Sequence, residues 1–260
     1  FKYFKTNENV KLGEARKFGV EKCNGKFISF LDVDDIWLPN KLKYQISLME
    51  KNNSDISYSS YYEFRDIDDI ENNSAKLIKP SLDEKKCFIK NLNVFQVSLP
   101  TLTIRKSALK LYNLNFDSNI FVSEEFCLVM QLLSYNVKVT IIDKPLVGYM
   151  ISDDSLSVTG MKYWSLDRRY TLDKIRKNNP FLKINYKNQF REAYYKADYY
   201  EALYLYVNGK EYEARSLLKN AALHNYKYLI IFILFHPYLK FLFKFILKLK
   251  YKRNFKFKKK

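Results

Sequence analysis

Three carboxylates stand within four residues in Asp32-Val33-Asp34-Asp35, directly after the apolar run FISFL that ends at Leu31. Two such charges ~4 Å apart repel by about 4 kcal/mol at an effective dielectric near ~20, so backbone donors or a cation must sit among them. Mg²⁺ or Mn²⁺ suits the role, because each takes one or two carboxylates and completes its shell with phosphate oxygens and water. The plain alternative is that Asp34 or Asp35 caps a helix. An EF-hand is excluded: counted from Asp32, its sixth position needs Gly and holds Trp37, and its twelfth needs Glu and holds Lys43. A second acidic pair, Glu124-Glu125, opens the segment EEFCLVMQLLS, where carboxylates favour the N-terminal end of a helix dipole.

Elements of regular structure must hold these acids in place. FISFL reads as a short buried strand, and charged groups at its carboxyl end occupy the place where open α/β sheets bind ligands. After Pro39, the stretch NKLKYQISLMEK spaces Leu42, Ile46 and Met49 along one helical face. DISYSS from Asp55, TLTIRK from Thr101 and VKVTII ending at Ile142 read as further strands, Arg65 to Ser74 as an exposed loop, and Glu124 to Ser134 as a helix. Strands alternating with helices predict an α/β fold whose sheet is mostly parallel and flanked by helices. Beyond about Gly160 the strands stop, and two helices joined at Asn208-Gly209 form an αα-hairpin, the start of a C-terminal helical extension.

With 260 residues, 47% of them hydrophobic, the chain can bury a sizeable core. Cys23, Cys87 and Cys127 form no CxxC pair, which argues against a disulfide framework or a zinc site and suits a reducing cytoplasm. Only six glycines exclude collagenous and Gly-rich phosphate-loop chains. The net charge is +17, and thirteen of those charges follow Glu213, the last acidic residue. Between Tyr228 and Phe235 the chain is wholly apolar, but His236 and Pro237 interrupt it well short of the ~20 residues a membrane span needs. Lys240, Lys244, Lys248 and Lys252 then recur every four residues, apart from Phe241, Leu242, Phe245, Ile246 and Leu249. That pattern predicts an amphipathic helix lying on an anionic membrane surface. The alternative is a helix packed on its own domain, ending in a solvated or nucleic-acid-seeking tail; no nucleic-acid module is visible upstream.

Residues 11–45, KLGEARKFGVEKCNGKFISFLDVDDIWLPNKLKYQ, resemble the central segment of a family 2 glycosyltransferase of the bacterial cell-envelope type. Agreement covers Ala15, Arg16, Gly19, Gly25, Leu31, Asp32, Asp34, Asp35, Trp37, Pro39, Lys41, Leu42 and Gln45. FDSNIFVSEEFCLVMQLLS and YMISDDSLS are similar to two later segments of the family, so the resemblance runs in order from Phe1 to about Ser157. It implies a GT-A-like domain over 1–157, a helical region over 158–227 and a basic membrane-surface tail over 228–260.

The resemblance also implies a reaction: a sugar leaves a nucleotide-sugar donor for a surface-polysaccharide, lipid-linked or other envelope acceptor, with inversion, at the inner face of the cytoplasmic membrane. Asp34, with Asp35, would hold Mg²⁺ or Mn²⁺; Asp32 would face the ribose; Arg16 would offer a second cation to the diphosphate. Glu125 would take the acceptor proton, supported by Glu124. There are departures: Glu125 replaces the common Asp, Lys17 the usual Asn, and Met150 a frequent Arg. The family's opening strands, VSIIIPTYN-like and VDDGSTD-like, do not occur, so the expected domain lacks its first N-terminal strands, exposes a sheet edge and binds its donor poorly. A non-catalytic remnant that binds a membrane surface or a partner is the contrasting reading. A haloacid-dehalogenase-like phosphatase with Asp32 as nucleophile is weaker still, since Ile36 stands where that family prefers Thr or Val.

Overall fold

The computed structural model describes residues 2–6, 8–152, 155–239, 241–243 and 245–246. Along the chain run α1 (Leu12–Lys22), β1 (Phe27–Ser29), β2 (Ile36–Trp37), α2 (Lys41–Asn52), β3 (Ile56–Phe64), α3 (Ile67–Glu71) and β4 (Lys76–Ile78). Then come α4 (Cys87–Asn93), β5 (Thr103–Arg105), α5 (Lys106–Leu111), α6 (Glu124–Ser134) and β6 (Val139–Met150). The remainder is helical: α7 (Leu156–Thr159), α8 (Trp164–Asn178), α9 (Pro180–Asn185), α10 (Lys187–Val207), α11 (Glu211–His224) and α12 (Tyr226–Leu234).

The α/β class, the flanking helices and the helical C-terminal part are as expected, but the sheet is mixed. Its order is β1-β5-β3-β6-β2, with β4 paired to β3. Among the described strands only β3 and β6 pair in parallel, and β5 inserts antiparallel between β1 and β3. Apolar patterning reports which residues are buried and says nothing of strand direction, so it could not reveal this. β6 also continues past Ile142 through Pro145, where the register against β3 shifts between Ser59 and Ser60. A bulge there accommodates a residue with no N–H to donate.

α2 is turned from the expected face. Lys41, Gln45 and Met49 point inward while Leu42 lies exposed. Gln45 explains the rotation, because its buried amide donates to Ser57 Oγ at 3.2 Å and to the Thr101 carbonyl at 2.9 Å. Thr101 itself sits in a 3₁₀ turn rather than a strand. The stretch after Arg65 contains α3, closed by a capping box between Asp66 and Asp69.

α6 is buried on every side from Phe126 to Ser134, as a helix hydrophobic all round must be. Each of its Leu, Val, Met and Phe side chains contributes ~1.5–3 kcal/mol by leaving water, which fixes the helix that bears Glu124 and Glu125. Leu172 and Ile175 of α8 and Phe190 of α10 belong to the same core as Ile56, Ile104 and Leu128. The αα-hairpin of α10 and α11 turns at Asn208-Gly209, where Gly209 has φ +80°. A second core gathers Leu203, Tyr206, Leu218 and Phe235. No helix among the described residues is long and apolar enough to cross a membrane. The expected lysine stripe at 240, 244, 248 and 252 lies outside them.

Candidate active site

β1 ends at Ser29, and the chain turns through Asp32 to Asp35, where the Asp35 N–H donates to the Asp32 carbonyl at 3.2 Å. β2 then runs against β6, with Ile36 opposite Gly148 and Trp37 opposite Val147. This pairing carries Asp35 to the end of β6, where its Oδ1 accepts from the Met150 N–H at 2.9 Å while Oδ2 has no partner among the described residues. Burial pushes the Asp35 carboxyl up to about 7; the Met150 N–H opposes the rise, and the charges of Asp34 and Asp32 add to it. Asp34 is exposed and makes no hydrogen bond or ion pair among the described residues.

Arg16 joins the two acidic groups. One of its η nitrogens donates to both oxygens of Asp32, at 2.9 and 2.8 Å, and the other pairs with Glu124 Oε1. Gly13 permits the approach of α1 to α6: a Cβ there would stand 3.3 Å from Glu124 Cβ and 3.2 Å from the Asp117 carbonyl. Glu124 is 1% exposed and its Oε2 has no partner among the described residues, so Arg16 is the cation that makes its burial tolerable. Glu125 is half-buried. Burial raises its carboxyl above the ordinary range, Arg16 pulls it down, and Asp32 and Asp167 push it up.

All six residues singled out from the sequence line one cavity of about 600 Å³: Arg16, Asp32, Asp34, Asp35, Glu124 and Glu125. Tyr61 and Tyr149 share its wall, with rings edge to face at 5.9 Å. Tyr58 does not; it is buried with its hydroxyl 3.0 Å from Cys87 Sγ. A larger concavity of about 740 Å³ has none of the acids of this site. Two of its four lysines are engaged, Lys174 with Asp117 at 2.6 Å and Lys106 with the Cys23 carbonyl.

Two contributors escaped the sequence reading. The segment from Phe95 to Leu99 lines the cavity without any chemically distinctive pattern. Asp167 of α8 is 2% exposed and accepts the backbone N–H groups of Phe121, Val122 and Ser123 at 3.1, 2.8 and 3.1 Å. It thereby fixes the turn that delivers α6 to the cavity. In the sequence it reads only as an acid in the first turn of a helix.

Among the described residues no three His, Cys, Asp or Glu converge as a metal cage. A free carboxylate on Asp34 and an orphaned, buried oxygen on Asp35 are instead the sparse donor set that suits Mg²⁺ or Mn²⁺ shared with a phosphate.

The chain has known relatives. The family model described as glycosyl transferase family 2 matches residues 1–112, so this stretch of the chain is similar to that family. An uncharacterized glycosyltransferase of Rickettsia bellii is 33% identical over 136 residues, covering 52% of this chain and 18% of that protein. The Escherichia coli protein named UDP-Glc:alpha-D-GlcNAc-diphosphoundecaprenol beta-1,3-glucosyltransferase WfgD is 29% identical over 184 residues, 70% of this chain and 67% of that protein. The chain thus spans less than a fifth of the first relative and about two thirds of the second. Among solved structures, S. aureus TarS 1-349 in complex with UDP-GlcNAc aligns with a TM-score of 0.48 and 15% identity, covering 75% of this chain and 63% of that one.

Proposed function

We propose that the chain carries the catalytic cavity of an inverting glycosyltransferase that moves a sugar from a nucleotide sugar to a glycan or lipid-linked acceptor. One observation supports it above the others: the acids after β1 and the acid pair of α6 line a single cavity, tied together by Arg16. The E. coli relative's name specifies a UDP-sugar donor and a diphosphoundecaprenol acceptor, which makes UDP the nucleotide to test.

Asp34, with Asp35, would hold Mg²⁺ or Mn²⁺, which would supply positive charge against the negative charge that grows on the departing diphosphate. Asp32 faces the nucleotide ribose, and Arg16 adds a second positive charge on the diphosphate side. The acceptor hydroxyl oxygen forms the new bond to the anomeric carbon, and its proton passes to the Glu125 carboxylate. The bond from that carbon to the diphosphate oxygen breaks with its electron pair leaving on the nucleoside diphosphate. Attack from the opposite face inverts the centre. Glu124 supports Glu125 by keeping Arg16 in place.

We divide the chain as 1–157 for this cavity's domain, 158–227 for a helical region and 228–260 for a basic tail that rests on an anionic membrane surface at the cytoplasmic face. Exposed Leu229, Ile230, Ile233, Phe241, Leu242 and Phe245 support the last assignment.

Calorimetric titration of the full chain with UDP, with and without Mn²⁺, tests the site. Mn²⁺ should tighten UDP binding, and Asp34→Ala should abolish that gain, weakening binding about tenfold, or ~1.4 kcal/mol. An Mn²⁺ effect undiminished in Asp34→Ala would remove the acids after β1 from the mechanism.

A further inference from the structure

A smaller cavity of about 210 Å³ meets the first one at Glu125. Phe95 and Glu125 line both; Ser123, Phe126, Trp164, Arg168 and Tyr200 complete the smaller one. Its lining is of two kinds. Trp164 of α8 and Tyr200 of α10 stand edge to face, ring centroids 5.3 Å apart, and both remain partly accessible. The polar part comes from Glu125 and from Ser123, which precedes α6 without using its side chain as a cap. Arg168 adds no free cation, because its buried guanidinium donates to the carbonyls of Ala193 and Leu92 and lies over the Phe126 ring.

We propose that this cavity is the acceptor subsite and takes one pyranose ring of a glycan, its C–H face on Trp164 or Tyr200 and a hydroxyl on Glu125. The proposal rests on Glu125 being the proton acceptor described above. Aromatic surface beside a few convergent polar groups is what a sugar's two-sided chemistry requires. A hydrocarbon chain would bury Glu125 against apolar groups at a desolvation cost. A phosphate would meet a carboxylate with no unengaged cation beside it. Acceptor choice is then set by α8 and α10, apart from the acids that handle the donor.

The chain has two tryptophans, so a ¹⁵N-labelled sample of the full protein gives two indole signals, with Trp37 serving as internal control. Methyl glycosides of glucose, galactose, mannose and N-acetylglucosamine, each titrated to about 100 mM, should include at least one that saturably shifts Trp164 and leaves Trp37 in place. Tyr200→Ala should weaken that glycoside about fivefold while Tyr200→Phe retains it, with the Trp37 signal reporting that each variant is folded. Absence of any Trp164 shift, equal movement of both signals, or a response to 1-octanol alone overturns the subsite. UDP with diamagnetic Mg²⁺ titrated into the same sample separates the two readings. UDP binding without a glycoside response removes the acceptor subsite only, and a Trp164 response without UDP binding removes the donor site while the subsite stands.

Discussion

Glu125 is held above the ordinary glutamate range chiefly by burial, with Arg16 acting against the rise. In its proposed role as proton acceptor Glu125 must be ionised, so turnover should climb as pH rises through that raised value. The acid limb of kcat/KM is expected above the ordinary value of about 4.3, and a limb at that value would refute the burial account. Lys41 shows the opposite displacement. It is 2% exposed, its Nζ has no hydrogen-bond partner among the described residues, and it lies 4.2 Å from the Trp37 ring centre. Burial lowers its amine to about 7. Between that pH and the ordinary value of about 10.4 the unfolded chain binds more protons, so stability rises with pH across this window. Lys41→Met should therefore gain ~2 kcal/mol in urea unfolding at neutral pH, with the gain shrinking toward pH ~10. A gain that stays constant across the window would show that charge burial is not its source. Residue type and spacing, together with the family resemblance, singled out Asp32, Asp34, Asp35, Glu124 and Glu125. They did not announce that Arg16 binds Asp32 and Glu124 together, because those partners follow it in sequence at very different separations, Asp32 by 16 positions and Glu124 far later.

At the level of elements, α6 begins and ends where its apolar run and its leading acids indicate. The turn that delivers it depends on a residue much later in the chain. Asp167→Ala should destabilise the protein by about 2–4 kcal/mol, since three N–H groups at Phe121, Val122 and Ser123 lose a charged acceptor. Asp167→Asn should recover part of the loss. Equal urea midpoints for Asp167→Ala and the parent would mean that the turn holds without it. The mis-set face of α2 has a related cause: a polar Gln45 found buried partners on two other elements, and a window of apolar spacing counts such a residue as outward-facing.

Across the whole molecule, charge is separated from chemistry. The acids line the cavity of about 600 Å³, while eight Lys and Arg and no acid lie in residues 247–260. Earlier in the sequence, α12 and the described residues after it expose Leu229, Ile230, Ile233, Phe241 and Phe245. The full chain should sediment with vesicles containing anionic lipid, and binding should fall in high salt and upon deletion of residues 247–260, each basic residue contributing ~1 kcal/mol. Equal binding by the shortened chain would sink the membrane-surface reading.

The sequence by itself determined the α/β class, the helical C-terminal half, the acids and their family resemblance, because each is encoded in residues a few positions apart. Only the tertiary structure decided that the sheet is mixed, that Asp35 answers to Met150 across 115 positions, and that Asp167, Trp164 and Tyr200 stand beside Glu125. Local spacing fixes which residues share a strand or a helical face. Bringing distant elements together depends on the packing of a common core, and no short window of sequence contains it.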